Sequence, residues 1–235
     1  MLEIDGLILA PEKAVITEDV AIIADLHLGI ESLMLDYGVT FPRVQIREII
    51  ENVEKIIEKY CIERLIVAGD LKHEFGRNLP HEWEDVELFL QSFSDLEIEV
   101  VRGNHDNFLA TILSKYGVEL TESIEIGEWT VIHGHLETNA KKIIMGHEHP
   151  AIKVRKEGAI YNFPCFLHVK EKNAVVLPAF SPLAPGSNII ESNSFLSPVL
   201  DLKIDVVEVY AVDKEVIYLG KVRDVRKAVY SESGS

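Results

Sequence analysis

Cysteine is scarce in this chain: Cys61 and Cys165 are the two found in 235 residues. They stand far apart and form no Cys-x-x-Cys pair, which excludes a disulfide-stapled scaffold, a thiolate zinc site and a thioredoxin-like redox motif. Both are expected as buried reduced thiols. Long apolar runs are missing as well. Nothing approaches the roughly 20 residues that a membrane-spanning helix needs, and no basic segment followed by an apolar one stands at the amino terminus. A soluble cytoplasmic protein with no membrane partner is therefore expected. Basic residues are few: 23 Lys and Arg face 39 Asp and Glu, a net charge of −16 with histidine neutral. Such a surface repels a nucleic acid backbone unless cations are gathered locally, so long duplex DNA is disfavoured as a partner.

What the chain does have is apolar material. A hydrophobic fraction of 47% in 235 residues can bury a sizeable core. One domain over residues 1–235 is expected, with a motif-bearing core at 20–150 and strands and a loop at 151–230 completing it. Strand-like runs at 7–9 and 20–24 open the chain. Residues 43–60 repeat apolar side chains at spacings of three and four behind Pro42, an amphipathic helix. A strand at 65–68, a helix at 83–93 and a strand at 98–101 follow, the grammar of an α/β sheet. Beyond residue 118 the texture changes to short strands at 123–126, 129–132, 142–145, 152–155, 159–162 and 174–177. Residues 178–200 read as an irregular loop, 206–210 and 215–219 as a closing hairpin, and 231–235 as a frayed end. A second sheet packed on the first is expected.

Five short polar clusters recur in this framework, each behind an apolar run: Asp25-Leu26-His27, Gly69-Asp70, Gly103-Asn104-His105-Asp106, His133-Gly134-His135 and Gly146-His147-Glu148-His149. Any one alone could be a surface triplet or a local hydrogen-bonding turn. Together they form a mixed oxygen and nitrogen ligand set, suited to first-row divalent metals rather than to calcium or a thiolate metal. Such ligands can serve two metals if one carboxylate bridges. A pair of ions binds phosphate oxygens, stabilises an in-line transition state and acidifies a water so that hydroxide can attack near neutrality.

The clusters resemble those of the calcineurin-like metallophosphoesterase superfamily, and residues 24–31 with 177–180 are similar to its ICC-like branch, which includes archaeal proteins and DNA-ligase-associated phosphoesterases. The resemblance implies a four-layer αββα sandwich with two mixed β-sheets. It makes Asp25, His27, Asp70 and His149 ligands of one metal, and Asp70, Asn104, His133 and His147 ligands of the other. His105 matches the general acid, with Asp106 orienting its ring or raising its pKa. Manganese is the first choice of metal, with Fe, Zn, Ni or Co as alternatives. The expected reaction is hydrolysis of a phosphodiester, in a cyclic nucleotide or short nucleic acid end. Alternatives are a phosphomonoesterase, a DNA-repair nuclease, or a silent metal-binding scaffold; the intact His105 favours an enzyme. A homodimer is compatible with the edge strands.

Several neighbours have two readings. His135 and His73 either face substrate or serve locally, while His81 and His168 read as ordinary polar residues. Glu31 and Glu148 are expected to be solvated or to fix a ligand imidazole, and Arg102 to touch substrate phosphate or form an ion pair. Phe41, Trp83, Phe180 and Phe195 could stack on a base or belong to the core.

Overall fold

The computed structural model of the chain describes residues 2–31, 38, 43–77 and 79–232. It opens as an antiparallel meander of β1 (Leu2–Ile4), β2 (Leu7–Ala10), β3 (Ala14–Thr17) and β4 (Val20–Ile23). Pairing then turns parallel, with β4 beside β5 (Arg64–Ala68), β5 beside β6 (Glu97–Val101) and β6 beside β7 (Leu120–Thr121). Parallel neighbours need a long crossover. Helices α1 (Gln45–Tyr60) and α2 (Pro80–Ser92) supply two of them, and the short α3 (Leu109–Leu113) lies on the third.

The periodicity seen in the sequence explains α1, which buries Ile46, Ile49, Val53 and Ile56 on one face. Pro42, assigned to its first turn, and Phe41 lie outside the described residues. Instead of a capping residue of its own, the helix start uses Glu31, whose Oε1 accepts the backbone N–H of Val44 at 2.9 Å and of Gln45 at 3.0 Å. That satisfies donors a helix end leaves open.

The second sheet is built from β8 (Ile124–Ile126), β9 (Trp129–Ile132), β10 (Ile143–Met145), β11 (Pro150–Lys156), β12 (Ala159–Val169), β13 (Ala174–Val176) and β14 (Ser187–Asn188), with β15 (Glu208–Val212) added to β12 and β16 (Val216–Lys221) to β15. Its spatial order is β14-β11-β12-β13-β10-β9-β8. Helix α4 (Val222–Glu232) ends the described chain.

Among the described residues, three apolar cores separate four layers. One lies between the first sheet and α1 to α3, including Ile49, Val67, Phe89 and Ile112. The second lies between the sheets, where Ile22, Ile66 and Val101 meet Val131, Ile144 and Phe166. The third packs Met145, Leu167 and Val209 under Val199, Leu200 and Val222. This is the αββα sandwich.

Four details differ from the sequence reading. Strand β12 runs on to Val169 rather than stopping at 162, because beyond its pairing with β11, which reaches Pro164, it is taken up by β15 from Cys165 and by β13 from Leu167. The meander contains two strands, β1 and β3, that were not expected. The closing hairpin lies a residue or two later and leads into α4, which continues into the expected frayed end as far as Glu232, while 233–235 lie outside the described residues. Cys61 is exposed, in contrast to Cys165, because it occupies the left-handed cap of α1 at φ 54, past the buried face.

Candidate metal centre

Each of the five clusters follows a strand that runs parallel to a neighbour: β4, β5 and β6 in the first sheet, β9 and β10 in the second. Ligands are therefore delivered from the carboxyl ends of strands in both sheets. All seven proposed ligands meet there. His149 Nε2 lies 3.1 Å from Asp25 Oδ1 and 3.2 Å from His27 Nε2, and His27 Nε2 lies 3.8 Å from Asp70 Oδ2. On the other side, His133 Nε2 lies 3.4 Å from that same Asp70 oxygen, 3.1 Å from Asn104 Oδ1 and 3.2 Å from His147 Nδ1.

These spacings and burials fit divalent cations. Donor atoms about 2.1 Å from one ion stand roughly 3.0–3.4 Å apart, as most of these pairs do. Asp25 and Asp70 are 0% and 2% exposed, and their ion-pair partners among the described residues are all imidazoles. Buried carboxylates require compensating charge or a metal. Burial lowers His27 to about 3 and His147 to about 4, keeping both in the neutral form that can bind a metal. His133 behaves otherwise: against the desolvation of its site, Asp70 and Asp25 push it up to about 9. The carboxylates thus draw positive charge into this spot.

The backbone is committed to the same arrangement. Asp25, His27, Asp70, His147 and His149 all have positive φ, between 46° and 71°. Left-handed backbone costs a non-glycine residue roughly 1–2 kcal/mol, so the surrounding contacts must hold it. Gly69 and Gly103 show how close the loops come, since a Cβ on them would run into the His133 ring and the Asp70 carboxylate. Hydrogen bonds fix the rings. His133 Nδ1–H donates to the Ala68 carbonyl at 3.0 Å, which turns Nε2 towards Asp70, Asn104 and His147. Gln45, missed in the sequence because a lone Gln carries no motif, donates to the carbonyls of Leu26 at 3.1 Å and His27 at 3.0 Å.

His105 and Asp106 divide their work differently from expectation. The His105 Nδ1 lies 2.5 Å from the His73 carbonyl, so that carbonyl orients its ring. Asp106 instead accepts backbone N–H groups: Asp70 at 2.9 Å and Gly103 at 2.8 Å on Oδ2, Lys72 at 3.3 Å on Oδ1. Burial and the nearby Asp70 charge raise its carboxyl to about 6. The expected contact with His105 is not made because the loop turns Asp106 inward, fully buried. Its hydrogen bonds tie the loops after β5 and β6 together.

Among the other candidates, His73 joins the site, its Nδ1 3.4 Å from His27 Nδ1 and its ring stacked on His105. Under its turn lies a buried pair the sequence did not disclose: Lys72 Nζ is 3.7 Å from Glu82 Oε2, while Glu82 Oε1 accepts the His73 and Glu74 N–H groups at 2.9 and 2.6 Å. His135 packs beside His133 with ring centroids 5.2 Å apart. Arg102 pairs with Glu122 at 3.2 Å. Glu148 holds the backbone of Leu196 and Ser197 at 2.9 and 2.7 Å rather than an imidazole, and Glu31 caps α1. His81 pairs with Glu84 on the surface, and His168 lies between Asp5 and Glu208, far along the fold. Phe180 is buried, and Trp83 and Phe195 pack partly buried against the cores. No helix among the described residues is long and apolar enough to cross a membrane.

Comparison with known proteins agrees with this architecture. No curated protein sequence matches the chain. Among solved structures, the nuclease MPE of Pseudomonas putida is 21% identical, aligned over 93% of this chain and 98% of its own, with a TM-score of 0.68. The phosphoesterase Yfce of E. coli is 16% identical, over 86% of this chain and 98% of its own, with a TM-score of 0.43. The first of these likenesses supports the fold. A family model described as calcineurin-like phosphoesterase matches residues 19–209, the span that carries all five clusters, and this chain belongs to that family.

Proposed function

We propose that the chain is a binuclear-metal phosphodiesterase acting on a nucleotide-type ester, a cyclic nucleotide or a short nucleic acid end. The observation that carries this reading is the Asp70 carboxylate. Its Oδ2 belongs to both donor sets, near His27 at 3.8 Å and His133 at 3.4 Å, while its Oδ1 is fixed by the His105 backbone N–H at 2.9 Å. A shared carboxylate between two such sets suits two ions, manganese first among them. Bound there, two divalent ions supply Lewis-acid charge for phosphate oxygens and a water acidic enough to attack near neutral pH.

The remaining roles fall to the protein. Asp25, His27 and His149 surround one position; Asn104, His133 and His147 surround the other. His105 keeps its Nδ1–H on the His73 carbonyl, and as an imidazolium it would carry a second proton on Nε2 to give to the departing oxygen. A diester needs that proton most when the leaving group is an alkoxide. Nuclease action is a second form of the same chemistry, favoured by the likeness to a protein described as a nuclease.

The test is hydrolysis of bis-p-nitrophenyl phosphate and p-nitrophenyl phosphate by metal-stripped protein, with and without Mn²⁺, beside Asp70→Asn. Activity restored by Mn²⁺ in the wild type alone, and larger on the diester, is the expected result. Preference for the monoester would reassign the substrate class. Metal binding without any turnover of these or of nucleotide esters would favour a scaffold.

A further inference from the structure

Large apolar side chains stand exposed around the metal centre. Phe75 and Phe108 are each 57% exposed, Leu136 56% and Leu196 69%. Phe75 and Phe108 are the exposed phenylalanines among the described residues, and one hydrogen bond ties their loops together, from the Asn107 amide to the Phe75 carbonyl at 3.2 Å. The Phe75 ring meets the His105 ring edge-on, with centroids 6.3 Å apart and planes at 82°. His73 lies parallel to His105, 5.6 Å away. Phe108 holds a left-handed backbone at φ 66 directly after that loop, a conformation rare for a bulky residue. Contact with His105 does not bury Phe75.

We propose that Phe75 is a specificity-determining residue that stacks on a nucleobase carried by the leaving group. The proposal rests on the phosphodiesterase reading, because His105 then protonates the departing oxygen and the group attached to it must lie beside His105. The open face found there is aromatic. A π-face suits any base and needs no matched hydrogen bonds. Charge points the same way: with a net charge of −16 the chain has little attraction for a phosphate backbone, so affinity for a nucleotide must come from elsewhere than surface cations.

The test compares kcat/KM of the Mn²⁺-loaded enzyme on a thymidine-bearing phosphodiester and its abasic counterpart, in which the leaving sugar lacks the base. Wild type is expected to prefer the base. Phe75→Ala should cut that preference about 5- to 100-fold, and Phe75→Trp should retain or increase it. If Phe75 only packs against His105, Phe75→Ala will lower both substrates alike and leave the ratio unchanged, which overturns the proposal. A second measurement does not depend on turnover. Thymidine monophosphate should quench the fluorescence added in Phe75→Trp, above the signal of Trp83 and Trp129, and deoxyribose phosphate should not. Quenching by the nucleotide with neither ester cleaved would sustain the stacking face while refuting the phosphodiesterase reading. Equal response to both phosphates, or to neither, refutes the stacking face.

Discussion

Asp106 holds Asp70 by its backbone: Oδ2 accepts the Asp70 N–H at 2.9 Å and the Gly103 N–H at 2.8 Å, so one carboxylate clasps the loops after two neighbouring strands. Replacing Asp106 with Ala strands three buried N–H donors. The cost should be about 3 kcal/mol, a fall in melting temperature of roughly 6–12 °C for a protein of this size. Asp106→Asn, which keeps one acceptor oxygen, should fall less. Circular dichroism melts of metal-free protein check this, and a drop below about 2 °C in Asp106→Ala would contradict the clasp.

On the proposed mechanism, His105→Asn removes the proton donor and leaves the seven candidate metal ligands in place. With a p-nitrophenolate leaving group, which departs without help, the loss in kcat should be under about tenfold; with an alkyl ester it should reach 100-fold or more. Equal losses on the two would argue that His105 shapes the site rather than donating a proton.

Metal removal should be visible in stability. Mn²⁺ at about 100 times its Kd adds roughly 2.7 kcal/mol, or about 5–11 °C in melting temperature. His149 Nε2 is 3.1 Å from Asp25 Oδ1, so His149→Ala and Asp25→Asn should each lose most of that shift. Scans with and without chelator decide it: an undiminished shift in His149→Ala would remove that residue from the donor set.

Lys13 offers a pH prediction away from the ligands. Its Nζ donates to the Phe180 carbonyl at 2.8 Å, and burial lowers its pKa from 10.5 to about 8, partly countered by Glu48. Between those two values the unfolded chain binds the proton that the folded chain has released. Unfolding free energy should therefore rise with pH from about 8 to 10.5 through this group, the buried charge costing stability below that window. Urea melts of wild type against Lys13→Met should show the wild type gaining on the variant across the window. Parallel curves would mean Lys13 stays charged.

The clusters were legible because their chemistry is compressed into adjacent residues, and the strands before them are continuous apolar runs. Helix α1 was legible from its periodicity. Helix α4 was not: its buried Val222 and Val225 are β-branched and weak helix formers set among charges, so packing against the second sheet decides its form. The partner of Asp106 was misread because adjacency in sequence says nothing about where a loop turns a side chain. The buried Lys72 and Glu82 pair joins a turn to a helix start through tertiary contact, and two lone charged residues give no pattern. Exposure of Phe75 was equally hidden, since a phenylalanine in a loop reads the same whether it is covered or open.

Each donor set draws on both sheets: Asp25, His27, Asp70 and Asn104 follow strands of the first, and His133, His147 and His149 follow strands of the second. Val101, Ile144 and Phe166 are packed between the sheets, and their bulk sets the gap across which the donors face one another. The thickness of an oily layer is thereby converted into an ångström-scale tolerance for chemistry. A methylene gained or lost there would retune the centre from a distance, as a shim resets the jaws of a gauge.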